Sequence, residues 1–270
     1  MLGFILGTSD GKNLLKDINR YTDDLFLSVS TEYGGELLND VKCKVLNTRP
    51  LDKKELIDVI KENNIDIFCD FSHPYAVNVS KNAVEACSIC GIEYIRFERE
   101  SSIEKYKDES LIHMIKNLDD FKEKIKNKSG NILNATGVNR VSDLINMNLN
   151  NRIIHRILPT KESIEKAING GAKIDDIIAI KGPINYELDL AFLKNYDIKI
   201  FLFKDSGKKG ATEDKVKSAL ELNIDCFIIE REKIDKHNVF YKEKDVFNYI
   251  MENYIVSHQF HFLSILRLHP

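Results

Sequence analysis

The segment Asp66-Ile67-Phe68-Cys69-Asp70-Phe71-Ser72-His73-Pro74-Tyr75-Ala76 runs from an unbroken apolar stretch into a crowded polar turn. The next segment, 76–90, carries apolar residues at helical spacing. A short apolar run bounded by a turn reads as a strand buried on both faces. Pro74 suits the first turn of a helix, where its missing N–H costs nothing. Strand, polar exit and helix together make half of a βαβ unit, and such units build parallel sheets.

The same pattern extends in both directions. Strand-like runs are expected at 1–6, 25–29, 42–46, 66–70, 93–97, 110–115, 131–135, 152–158, 176–180, 199–203 and 225–229. Helical periodicity fills 12–21, 52–63, 76–90, 118–126, 161–169, 185–194 and 213–222. Right-handed crossovers would join parallel neighbours. Eleven strands are too many for one simple doubly wound sheet of this length, so two sheets are expected. The charged, polar stretch from Glu98 to Asp108 marks the break. The reading is an N-terminal domain over 1–100, a C-terminal domain over 101–256 and an atypical tail over 257–270. The tail is aromatic and apolar and carries His258, His261 and His269. Its HxxH has neither helical context nor a following Glu, and no catalytic part is expected of it.

A faint repeat supports two equivalent halves. Ile92-Glu93-Tyr94-Ile95-Arg96-Phe97-Glu98-Arg99-Glu100 echoes Ile224-Asp225-Cys226-Phe227-Ile228-Ile229-Glu230-Arg231-Glu232. Each copy follows a helix and ends in Glu-Arg-Glu.

Composition excludes several classes of function. The 270 residues are 43% hydrophobic and 30% charged, an ordinary globular balance that excludes disorder. Lys and Arg number 39 against 42 Asp and Glu, so no basic excess points to nucleic acid. No apolar run approaches the roughly 18 residues of a membrane span. The start lacks the basic region and cleavage site of a signal peptide, which places the chain in the cytoplasm. Of the five cysteines, Cys87 and Cys90 have CxxC spacing. No second pair completes a metal site, so no metal is expected and core packing is the favoured reading.

In open parallel sheets, ligands bind beyond the carboxyl ends of the strands. Four loops there are chemically loaded. Leu6-Gly7-Thr8-Ser9-Asp10-Gly11 brings small residues to a helix start, where backbone N–H groups meet phosphate. It is not a full G-x-G-x-x-G, and a plain turn capped by Ser9 or Asp10 reads equally well. Ser30 and Thr31 follow the second strand, with Glu32, Tyr33, Gly34 and Gly35 beyond. The two hydroxyls suit a ribose or a 2′-phosphate. Asp70, Ser72, His73 and Tyr75 crowd the fourth exit, where His73 reads as a general acid or a carboxylate contact. Lys204-Asp205-Ser206-Gly207-Lys208-Lys209-Gly210-Ala211 suits an anion but lacks the Walker order. No G-x-S-x-G elbow supports a serine hydrolase.

Taken together, these loops resemble the precorrin-6A and cobalt-precorrin-6A reductases of cobalamin biosynthesis. The matching segments also include Ser80-Lys81-Asn82-Ala83, Arg156-Ile157-Leu158-Pro159, Gly182-Pro183 and Glu187-Leu188. The chain departs from the family at Thr8, and at Ala211, where the family often carries a second glycine. The resemblance implies an α/β fold: two Rossmann-like, three-layer domains with parallel sheets that exchange their last strands. It implies hydride transfer from NADH or NADPH to a ring double bond of the macrocycle, with a proton delivered to the neighbouring carbon.

On that basis Gly7, Thr8, Ser9, Ser30, Thr31, Tyr33, Gly34 and Ser72 are the expected cofactor-binding residues. His73, Tyr75 and Lys204 are the expected catalytic ones, with His73 ranked first for a pKa nearest neutrality. A precorrin is a polycarboxylate around an apolar ring, so it needs several separate cations. His73, Arg96, Arg99, Arg140, Arg156, Lys204, Lys208 and Lys209, with Ser206 and Gly207, are the expected substrate contacts. The expected partner is this small-molecule tetrapyrrole, with transient hand-over to the next pathway enzyme and neither nucleic acid nor membrane. The competing readings are another Rossmann-like reductase and a non-catalytic nucleotide- or tetrapyrrole-binding protein. The Tyr-x-x-x-Lys pair of many such reductases is absent at Tyr75, which is followed four residues on by Val79.

Overall fold

The computed structural model describes residues 1–7, 10–232 and 238–255. Thr8, Ser9 and the expected tail over 257–270 lie outside the described residues. The chain divides into two compact units, Met1–Arg99 with the chain from Glu232 onward, and Glu100–Arg231.

The first unit contains β1 (Leu2–Leu6), β2 (Leu25–Ser28), β3 (Val45–Asn47), β4 (Ile67–Phe71) and β5 (Glu93–Phe97). Between them run α1 (Lys12–Ile18), α2 (Glu32–Glu36), α3 (Lys53–Glu62) and α4 (Val77–Cys90). The second unit contains β6 (Ile112–Ile115), α5 (Leu118–Ile125), β7 (Asn131–Asn134), α6 (Val141–Asn146), β8 (Ile153–Ile157) and α7 (Lys161–Asn169). It continues with β9 (Ile177–Ala179), α8 (Tyr186–Asn195), β10 (Ile198–Lys204), α9 (Thr212–Glu221) and β11 (Asp225–Ile229). The chain then returns to the first unit as β12 (Val239–Phe240) and α10 (Glu243–Ile250).

The sheets run β12-β5-β4-β1-β2-β3 and β6-β11-β10-β7-β8-β9. All strand pairs are parallel. Among the described residues each half of the sequence supplies six strands, and the sixth of each is laid in the other half's sheet. Thus β6 pairs with β11, and β12 with β5. All eleven strands expected from sequence are present, and β12 is the one the sequence did not signal.

The 101–256 segment read as the second domain is divided between the units at Glu232. Its last helix explains the return. Val246 and Ile250 of α10 are fully buried with Leu14, Leu15 and Ile18 of α1 against the face formed by Leu2, Phe4 and Leu6. The opposite face, with Ile5, Phe26 and Phe68, packs against Leu56 and Ile60 of α3 and Ala83, Ala86 and Cys87 of α4. Side chains alternate across a strand, so β1 feeds both cores. In the second unit Leu133, Ile154, Phe201 and Phe203 meet Leu193 of α8 with Val216 and Ala219 of α9. Ile157 faces Val141 and Ala167 on the other side. Both units are therefore helix–sheet–helix sandwiches.

Candidate functional site

Both sheets have the same strand order, so both change winding direction at a central pair, β1/β4 in one unit and β7/β10 in the other. Loops at the carboxyl ends of such a pair diverge and leave a crevice for ligand. The loaded loops at 7–11 and 72–76 flank the first switch point, and 204–211 flanks the second.

In the first unit, the Gly7 N–H donates to the Phe71 carbonyl at 3.0 Å and ties the two exits together. A Cβ on Gly7 would lie 3.3 Å from that oxygen and 3.5 Å from the His73 nitrogen, so a side chain would strain the approach. Gly11 adopts φ +84°, and no side chain caps the N-terminus of α1. Beyond β2, Ser30, Thr31 and Tyr33 are exposed, while Gly34 is buried. The Thr31 hydroxyl accepts from the Gly34 N–H at 3.1 Å and starts α2. The Glu32 carboxylate accepts from the Thr48 hydroxyl at 2.7 Å.

The exit of β4 is built on Asp70, which is fully buried. It accepts from Arg96 Nη1 at 2.6 Å, the Ser80 hydroxyl at 2.6 Å, the Tyr94 hydroxyl at 2.7 Å and the Ser72 N–H at 2.8 Å. Burial opposes its charge, but the Arg96 guanidinium and the hydroxyls outweigh burial and hold its pKa below the ordinary range. Arg96 also donates to the Ser72 hydroxyl at 2.8 Å and is only 1% exposed. That placement corrects the expectation for Arg96, which is a core residue without a face for substrate. Ser72, only 7% exposed, belongs to the same network. Above it, His73 is exposed, and its Nδ1 accepts from the Tyr75 N–H at 3.3 Å. The two rings lie 5.9 Å apart.

In the second unit, Lys204 ends β10, half-buried. Burial first, and the nearby Arg140 charge second, push its pKa down. Asp205 turns the loop by accepting from the Gly207 N–H at 3.0 Å. The Thr212 hydroxyl accepts from the Ser206 N–H at 3.1 Å. Lys208 and Lys209 are exposed on the loop. Ala211 takes φ +50°, a left-handed backbone that favours glycine. Arg140 is exposed and pairs with Asp143 at 3.2 Å.

Sequence reasoning missed Asp189 and Lys215 here, and it read Arg156 as a substrate contact. Arg156 donates to Asp189, which is fully buried, and its guanidinium lies 5.7 Å from the Phe201 ring centre. Burial raises the Asp189 pKa against the pull of Arg156. Lys215 donates to the Gly210 carbonyl, and burial, then Arg156, pushes its pKa down to about 8. A signal existed, because Lys215 stands three residues after Thr212 and four before Ala219, on the buried stripe of α9. In the first unit Asp10, read from sequence as a possible helix cap, is 4% exposed and pairs with Arg99 instead.

Burial pushes the Cys87 thiol up to about 12, in keeping with a packing role. Among the described residues no cluster of three or more His, Cys, Asp or Glu is arranged to hold a metal ion. No helix among them is long and apolar enough to cross a membrane.

Residues 2–251 match the family model described as precorrin-6x reductase CbiJ/CobK. The chain is 34% identical to the cobalt-precorrin-6A reductase of Methanocaldococcus jannaschii, over 90% of this chain and 95% of the relative. It is 32% identical to that of Priestia megaterium, over 89% and 94%. Among solved structures, a CobK precorrin-6A reductase superposes with a TM-score of 0.75 at 18% identity, covering 94% of this chain and 97% of the other. At that identity the likeness speaks for the fold.

Proposed function

The chain belongs to the precorrin-6x reductase CbiJ/CobK family, and from that premise we propose how its loops divide the reaction. The reaction is reduction of precorrin-6A or its cobalt complex in cobalamin biosynthesis. Cobalt-precorrin-6A is the proposed substrate, because the relatives of 34% and 32% identity carry that name.

The observation that carries the cofactor reading is the end of β2. A dinucleotide site usually places a carboxylate there for the ribose hydroxyls. This chain offers the exposed Ser30 and Thr31 instead, and Glu32 is engaged by Thr48. Hydroxyls donate to a 2′-phosphate, so NADPH is the proposed cofactor. Gly7 and Gly34, with Thr8, Ser9 and Tyr33, complete its proposed surroundings. When bound, the reduced nicotinamide supplies the hydride.

The rest is placement and proton supply by the chain. Lys204 is the proposed acid, since its half-buried ammonium beside Arg140 gives up a proton more readily than a solvated one. His73 and Tyr75 are proposed as contacts to substrate carboxylates, with His73 Nδ1 accepting from the Tyr75 N–H. Lys208, Lys209 and Arg140 supply further exposed cations for a polycarboxylate, and Ser206 and Gly207 shape their loop. Anaerobic mixing with cobalt-precorrin-6A or precorrin-6A, followed by nicotinamide absorbance, tests the reading. NADPH oxidation well above NADH oxidation is expected. Equal use of both nicotinamides would remove the 2′-phosphate argument, and oxidation of neither would reject the whole reading.

A further inference from the structure

The Glu-Arg-Glu echo acquires a physical meaning at the two points where the chain leaves one unit for the other. Arg99 is the last residue of its stretch of the first unit, and Arg231 the last of the second. The register is the same in both. The Glu98 N–H donates to Phe240 of β12 at 2.8 Å, and the Glu230 N–H donates to Ile115 of β6 at 2.8 Å. Each sheet ladder ends at the first Glu, so the arginine one residue on is not needed for strand pairing.

Each arginine instead grips a ligand loop. Arg99 places Nε at 2.7 Å and Nη2 at 2.6 Å from one oxygen of Asp10, in the loop after β1. Arg231 donates from Nε to the Asp205 carbonyl at 3.0 Å and sets Nη2 3.2 Å from the Asp205 carboxylate. Asp205 in turn accepts from the Gly207 N–H and fixes the turn of the lysine-bearing loop. Both aspartates are 4% exposed. A carboxylate so enclosed must keep its cation, so each aspartate is held where its arginine stands.

We infer that Arg99 and Arg231 are positioning residues, Arg99 for the nicotinamide loop and Arg231 for the tetrapyrrole loop. The assignment of ligands rests on the function proposed above. Arg99 thereby changes role from an expected substrate contact to a residue that acts through Asp10.

Removing one arginine alone leaves a buried charge, so the test uses the pairs. Arg99→Met with Asp10→Asn, and Arg231→Met with Asp205→Asn, remove cation and anion together. Arg99→Lys and Arg231→Lys keep the charge and lose the fork. Dissociation constants are read separately for NADPH, by its fluorescence, and for the reduced tetrapyrrole product, by its absorbance. The Arg99/Asp10 variant should bind NADPH at least about tenfold more weakly and hold the tetrapyrrole within about twofold. The Arg231/Asp205 variant should show the reverse, and each lysine variant should recover part of the loss. Equal losses of both ligands in either variant, or folded variants with both affinities intact, would overturn the inference. A crossed pattern would overturn it as stated, by reversing the ligands of the loops. Wild-type protein that binds neither NADPH nor NADH would instead reject the function it rests on.

Discussion

His155 shows how one buried group sets a pH dependence. Asn134 Oδ1 accepts from the Thr136 N–H at 3.0 Å and its hydroxyl at 2.7 Å, so the Asn134 amide nitrogen faces His155 Nδ1 at 3.1 Å. Nδ1 is therefore the acceptor, and a second ring proton there would oppose the amide donor. Burial pushes the pKa down to about 4. The unfolded imidazole takes its proton near pH 6.5, and the folded one does not. Stability from this residue is complete above that value and is lost as pH falls towards about 4. Unfolding by urea should cost about 2 kcal/mol less at about pH 5 than at about pH 7 from this term alone. His155→Gln should flatten that difference, and an unchanged slope would show that His155 does not carry it. Lys204 gives the catalytic counterpart. Its protonated form is the proposed acid and its pKa is lowered, so kcat should fall on the alkaline side earlier than an ordinary lysine would dictate. Lys204→Met should lower single-turnover kcat by roughly a hundredfold with little change in KM. Lys204→Arg should move the alkaline limb upward, and a limb fixed in both variants would point to another acid.

The lysine loop is governed at the level of the element by two adjacent residues with opposite demands. A Cβ at Gly210 would lie 2.3 Å from the Ser206 Cβ, so Gly210→Ala must spread the loop. Ala211 instead already holds the left-handed φ of +50° that disfavours a side chain. Ala211→Gly relieves a cost of about 1 kcal/mol, offset in part by the freer unfolded chain. The melting temperature should therefore hold or rise in Ala211→Gly and fall in Gly210→Ala. A fall in both would mean that Ala211 contributes contacts that outweigh its strain. The same comparison shows what was legible. Strands such as 67–71 and 200–203 were readable because continuous apolar runs need cover on both faces. The helix α2 was not, because Gly34 and Gly35 oppose helix propensity, and its support from the Thr31 cap and the Glu32–Thr48 bond has no periodic signature. Strand β12 is two residues long and has no periodicity to detect. Loop chemistry was readable as small and polar residues at strand exits. Cation roles were not, because a guanidinium committed to Asp70, Asp10 or Asp189 has the same letter as one awaiting a carboxylate.

At the scale of the whole chain, the exchange of sixth strands makes the two units unequal in sequence. The second unit is continuous from Glu100 to Arg231 and already contains β6. The first unit is complete only when β12 and α10 return from the far end of the chain. A chain ending at Arg231 would keep every strand of the second sheet. It would leave the β5 edge of the first sheet open and uncover the face that Val246 and Ile250 fill. Each of those side chains is worth roughly 1.5–3 kcal/mol in burial, a large share of the margin of a small domain. The open edge also presents unpaired backbone groups to other chains. The sequence has no tryptophan, so a single Trp can be placed in each unit as a private reporter, at Phe68 and at Phe227. In the full chain both reporters should unfold cooperatively in urea. In the chain ending at Arg231, the Phe227→Trp signal should keep its transition. The Phe68→Trp signal should shift to lower urea by several kcal/mol of stability or be lost to aggregation. An unshifted Phe68→Trp transition would show that strand exchange is dispensable for the first sheet. Loss of both transitions would show that the second unit, although complete in its own strands, depends on the first for folding.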